Sequence, residues 1–283
     1  MDLPLRPKSL PSYPCPGRHR RGPTAFLGHP RMSPFQTLKQ TADMDHSLID
    51  EFTPTGSLRA SLNLGNPVLA RSRTALEKPA GVTIDLSREF ARELGVGVAF
   101  IEFDTAAKSV EALTKKQADV GFMAIDPLRA AGIHFTPAYV QIEGCYLVAD
   151  GSPIRSNEEV DRAGVRVVVG AGSAYELYLS RTLKNAELLK VATSEGVVDA
   201  MRERGLQVAA GVKQQLQSDA RRFAGMRLLD GRFMVIHQAM AMPKGRSAEA
   251  MALLDGFVTR MKSTGFVADA LARHGIEGAA VAP

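Results

Sequence analysis

From Ser57 onward the apolar and polar positions fall into regular periods. Leu58, Ala60, Leu62 and Leu64 alternate with other residues, the period of a half-buried strand, and Gly65-Asn66-Pro67 ends the run. Ile84, Leu86, Phe90 and Leu94 then share one helical face, with Arg88, Glu89, Arg92 and Glu93 opposite and Gly95 as the stop. The pattern continues as strand 98–103, helix 106–116 and strand 119–125. Cys145 lies in the apolar strand 142–148, where it reads as a small buried hydrophobe. A second series follows near Asp150: strand 165–169, helix 174–183, strand 188–192, helix 195–204, strand 206–210 and helix 212–223. Strand 233–242 and two helices, 248–262 and 266–274, complete it. Strand and helix alternate, which predicts an α/β fold with a mainly parallel sheet.

Composition agrees with a buried core: 45% of the 283 residues are hydrophobic and 23% charged. That length suits one large domain or two ordinary ones. No apolar run reaches the roughly 18 to 20 residues of a membrane span, so membrane insertion is not expected. The net charge of +5 is local. Residues 1–43 hold seven basic and two acidic residues, and the remaining chain has 28 of each. The body therefore has no basic field for nucleic acid. Half of the 16 prolines also lie in 1–43, which opposes helix and sheet alike. We expect a disordered Pro/Arg-rich extension over 1–56. No secretory signal is legible in it, and it is read as preceding a true start at Met32 or Met44, with a basic arm for an acidic partner as the alternative.

The chemistry-bearing motifs are few. Cys15 and Cys145 are far apart, and no His pair has i,i+3 or i,i+4 spacing, so no metal, disulfide framework or cofactor is expected. Gly170-Ala171-Gly172-Ser173 stands between a strand and a helix. It fails the dinucleotide fingerprint, because Tyr175 stands where a third Gly is needed and Ala192 where an acid is needed. What survives is an N-cap at Ser173 and a helix start whose Ser173 and Ala174 N–H groups can receive an anion. Asp126-Pro127 reads as a helix cap, and Arg129, at the carboxyl end of a strand, offers a planar fork for a carboxylate. Glu143 and Glu176 are the acids with a chance of lining a cleft. No catalytic residue is assigned.

These segments carry a resemblance. Leu58 to Gly65, Gly81-Val82-Thr83-Ile84-Asp85-Leu86, Ala118-Asp119-Val120-Gly121, and Arg129 with Ile133-His134-Phe135-Thr136-Pro137-Ala138-Tyr139 resemble the family 3 solute-binding proteins of polar amino-acid ABC transporters. The likeness runs from about residue 57 to the C-terminus. It implies the periplasmic-binding-protein type II fold, α/β with two lobes, hinge strands and a cleft. Lobe 1 would be 57–148 plus 240–283, and lobe 2 would be 149–239. It places Arg129, Ser173 and Ala174 on a ligand carboxylate, and Gly65 and Asn66 in the loop that covers the ligand. The acid that would hold an ammonium is missing, with Val212 and Lys213 in its place, and Phe122 and Ala124 replace serines before the Arg. Asp126 and Lys213 complete the candidate ligand set, Lys213 as a second cation for a dicarboxylate. The expected function is binding of a small carboxylate by a monomer, with an ABC permease as partner, in the periplasm. Without a legible signal the cytoplasm stays open. The alternatives are a cyclohexadienyl-dehydratase-like enzyme using Glu143 or Glu176 as general acid, and a ligand-sensing module.

Overall fold

The structure is a computed structural model describing residues 45–71 and 78–283. The segment 1–44, with Cys15 and the starts proposed at Met32 and Met44, lies outside the described residues, as does 72–77.

The first element is not in the sequence reading. Helix α1, His46–Phe52, falls inside the stretch 1–56 expected to be disordered, and corrects that boundary. Leu48, Ile49 and Phe52 give it a short apolar stripe that packs on the core. Phe52 is fully buried, edge-on to Phe90 at 5.0 Å between ring centroids, with the Arg246 guanidinium 5.2 Å from its own centroid. Phe52→Ala is expected to cost about 3 to 5 kcal/mol, as for other buried aromatics. Denaturant unfolding would show this as a lower midpoint at unchanged slope.

The elements that follow match the periodic segments closely. They are β1 (Leu58–Asn63), α2 (Val82–Leu94), β2 (Val98–Phe103), α3 (Ala106–Thr114), β3 (Val120–Ala124) and β4 (Ile133–Ala149). Next come β5 (Arg166–Gly170), α4 (Ala174–Thr182), β6 (Glu187–Val191), α5 (Val197–Glu203), β7 (Val208–Val212) and α6 (Lys213–Arg222). The chain finishes with β8 (Met226–Leu228), β9 (Met234–Pro243), α7 (Ala248–Ser263), α8 (Phe266–Arg273) and β10 (Ala280–Val281). Caps explain the ends: Gly95 stops α2 in the left-handed region, and Ser247 Oγ accepts the Ala250 N–H to start α7.

The ten strands form one mixed sheet, ordered β2-β1-β3-β9-β4-β7-β5-β6, with β8 and β10 also on β4. The expected mainly parallel sheet is thus only partly right. Two three-stranded parallel blocks, β2-β1-β3 and β7-β5-β6, are joined through antiparallel pairs of β9 and β4. Apolar runs predict strands but carry no direction, and β4 was legible only in its second half. Its 17 residues pair with β9 from Ile133 to Gly144 and with β7 from Gly144 to Leu147, so one strand serves both blocks. Register shifts flank Ala138, beside Pro137, which has no N–H to give.

The main core runs through both blocks and includes Phe90, Phe257, Tyr139, Tyr146 and Tyr175. A second cluster contains Cys145, Val168, Met201 and Leu216. Cys145 is buried there, and burial pushes its thiol up to about 11, as suits an inert packing residue.

Candidate functional site

In open α/β sheets ligands bind beyond the carboxyl ends of parallel strands. Here the two blocks turn those ends toward one another. Asn63 and Ala124, at the ends of β1 and β3, face Ala171 and Val212, at the ends of β5 and β7, across one cavity. Ile236 and Gln238 of β9 also line it. The space for centres of water-sized spheres is about 50 Å³. A larger hollow of about 360 Å³ adjoins it, sharing Ala124, Ala174 and Ile236.

Among the described residues, Arg129 is the only charged one on the cavity lining. The turn before it is set by Asp126, whose Oδ1 accepts the Leu128 N–H at 2.9 Å, and a single 3-10 turn, Arg129–Ala131, follows instead of the longer helix that Asp126-Pro127 predicts. Arg129 is 7% exposed, and its guanidinium donates to two carbonyls, Ala124 O of the first block at 3.1 Å and Gly172 O of the second at 2.8 Å. Its other N–H groups have no partner among the described residues. Burial pushes its pKa down to about 10, against the fields of Asp126 and Glu176, so it stays cationic at neutral pH.

Opposite Arg129 stands the start of α4. Ser173 Oγ accepts the Glu176 N–H at 3.0 Å, the expected cap. The expected anion donors need one correction. The Ser173 N–H is already given to Gly170 O at 3.2 Å, and the free donors are Ala174 and the next residue, Tyr175. Both N–H groups lack partners among the described residues and sit at the positive end of the helix dipole.

Gly65 and Asn66 line the cavity as expected, with no aromatic between them. A Cβ on Gly65 would lie 2.4 Å from Asp104 O, so the loop can pass this close only with glycine. Asp126 and Lys213 do not line it, contrary to the sequence reading. Asp126 Oδ2 is held by Arg181 of α4 at 2.7 Å, which turns it toward the larger hollow. Lys213 Nζ is held by Glu143 at 2.7 Å, and Glu143 also binds Arg232 at 2.6 Å. Lys213 is thus paired with Glu143, which it shares with Arg232.

Comparison with known proteins supplies the family. Its profile matches residues 67–276, about three-quarters of the chain. The chain belongs to the bacterial extracellular solute-binding proteins, family 3. A comparison with curated protein sequences gives no match. Solved structures that share the fold include the solute receptor for L-cysteine of Neisseria gonorrhoeae, with TM-score 0.70, 19% identity, and 81% of this chain and 94% of that one covered. Another is the amino acid ABC transporter substrate-binding protein AbpA of Streptococcus pneumoniae, bound to L-arginine, with TM-score 0.68, 17% identity and coverage of 80% and 97%. A third is the ancestral amino-acid-binding protein AncCDT-1, a precursor of cyclohexadienyl dehydratase, with TM-score 0.67, 21% identity and coverage of 80% and 98%. The fold is that of the two-lobed type II periplasmic binding proteins.

Within this family 3 protein the acids proposed for an enzyme are poorly placed for it. Neither Glu143 nor Glu176 lines the cavity. Burial pushes the Glu176 carboxyl up, but hydrogen bonds from Lys190, Ser180 and the Gly172 N–H outweigh it and hold the group below the usual range. Hydrogen bonds from Lys213 and Arg232 do the same for Glu143. A general acid needs the opposite shift. Among the described residues no trio of His, Cys, Asp or Glu is arranged for a metal, and no helix is long and apolar enough to cross a membrane.

Sequence reasoning missed Gln238, Ser194, Asn63 and Thr105, all on the lining. Gln238 had a signal: with His237 it is one of two polar residues in the otherwise apolar strand Met234–Pro243. The others are polar residues at strand or helix ends, which one sequence cannot tell from ordinary caps.

Proposed function

We propose that the protein binds a small carboxylate-bearing solute between its lobes and delivers it to an ABC-type permease. The observation that carries this reading is the pairing of the Arg129 guanidinium with the free N–H groups of Ala174 and Tyr175 on one cavity. A planar cation on one lobe and a helix start on the other are complementary to one carboxylate, and each is completed by the other lobe's approach. Residues 57–148 with 240–283 act as one lobe, now including α1, and 149–239 as the other. Ligand-binding roles fall to Arg129, Ala174, Gly65 and Asn66, with Ser173 as the cap that orients the helix start. The family's extracellular setting supports a place outside the cytoplasmic membrane.

A thermal-shift screen of the full chain against amino acids and small organic acids tests this. A ligand at 100 times its dissociation constant adds about 2.7 kcal/mol of stability. At least one small carboxylate should raise the melting temperature. A screen in which every carboxylate is silent would remove the reading.

A further inference from the structure

The cavity holds one full charge and several unmet neutral groups. Gln238 is 6% exposed, yet its side-chain amide makes no hydrogen bond among the described residues. The Asn66 Oδ1 atom is buried and also has no partner. Both residues line the cavity with Arg129. The Gln238 amide, without a partner among the described residues and on the lining, is open to pairing with a ligand group in the cavity. No Asp or Glu lines the cavity, and the nearby acids are each committed: Asp126 to Arg181, Glu176 to Lys190, and Glu143 to Lys213 and Arg232.

From this pattern we propose that the ligand is a hydroxy acid, not an amino-acid zwitterion, and that Gln238 is the residue that selects it. The proposal rests on the reading of the cavity as a solute site. One carboxylate balances the single charge of Arg129. A hydroxyl can donate to Gln238 Oε1 and accept from the Gln238 amide N–H, pairing that side chain without further charge. An ammonium in the same position would be stripped of water, meet only neutral acceptors and leave the cavity with an uncompensated positive charge.

The test is calorimetric titration of the full chain with matched pairs that differ only in hydroxyl against ammonium: glycolate and glycine, L-lactate and L-alanine, L-glycerate and L-serine. The hydroxy acid should bind at least about tenfold more tightly in one or more pairs, and the amino acid should not win in any. Gln238→Leu should weaken the hydroxy acid by roughly 5- to 100-fold, the range for a buried group that loses its partner. Val212→Asp supplies the missing anion. Val212 lines the cavity and is the N-cap of α6 without a side-chain cap, where Asp is favourable, so the variant should fold and should shift preference toward the amino acid. An amino acid that binds the unaltered protein as well as its hydroxy counterpart, or a Val212→Asp chain with unchanged preference, overturns the assignment. If all six probes are silent while another carboxylate binds through Arg129, the hydroxy-acid assignment fails and the solute site stands. If no carboxylate binds at all, both fail.

Discussion

Replacing Arg129 by Met is expected to weaken carboxylate binding by about 2 to 5 kcal/mol, roughly 30- to 4,000-fold. The size follows from the setting. Arg129 is buried and, among the described residues, is the only charged one on the lining, so its loss leaves the ligand's carboxylate to the helix start of α4. Helix N–H groups and the dipole typically contribute about 0.3 to 2 kcal/mol to such an anion, which does not replace a desolvated guanidinium. Arg129→Lys should fall between, because it keeps the charge and loses the fork that reaches Ala124 O and Gly172 O together. Titration measures the affinity, and the melting temperature of each ligand-free variant separates binding from stability. Unchanged affinity in Arg129→Met would mean that the carboxylate lies elsewhere.

The second large effect is expected at Gly172, from closure and not from ligand contact. Gly172 is in the turn before α4, in the left-handed region at φ 70°, and a Cβ there would lie 2.7 Å from the Ala107 Cβ of α3 in the other lobe. Gly172→Ala therefore carries two penalties of different kinds. The backbone strain, about 1 to 3 kcal/mol, acts whether the lobes are open or closed and lowers stability. The contact with Ala107 acts only when the lobes meet, and overpacking of this kind costs about 1 to 3 kcal/mol, a roughly 5- to 150-fold loss of affinity. Ala107→Gly in the same chain should restore the affinity and leave the stability loss in place. A double variant that recovers neither would mean that the two residues do not meet in the ligand-bound state.

Much of the order of strands and helices was legible because it rests on periodicity. The stripe Ile84, Leu86, Phe90, Leu94 with Gly95 after it encodes α2 to its last residue, and 98–103 is β2 without adjustment. Strand direction was not legible, since β4 and β9 read as apolar runs whatever they pair with. Helix α1 was hidden beside a proline-rich segment, and its seven residues give too few turns for a period to stand out. On the cavity lining, Arg129 and Ala174 stand at a strand end and a helix start, which are local signals, whereas Gly65 and Asn66 were named through the family resemblance. Asp126 and Lys213 were misplaced for a long-range reason: their partners, Arg181 and Glu143, are distant in sequence, and an ion pair formed across the fold decides which way a side chain turns. Gln238 was missed because a strand period assigns a face without saying what that face meets.

The most direct measurement is a crystal structure of the full chain with the carboxylate that gives the largest thermal shift. The account predicts the lobes closed on the ligand, one carboxylate oxygen within hydrogen-bonding distance of the Arg129 guanidinium and the other near the Ala174 and Tyr175 N–H groups. A ligand bound outside the interlobe cavity, or held in it with its carboxylate turned away from both Arg129 and α4, would contradict it.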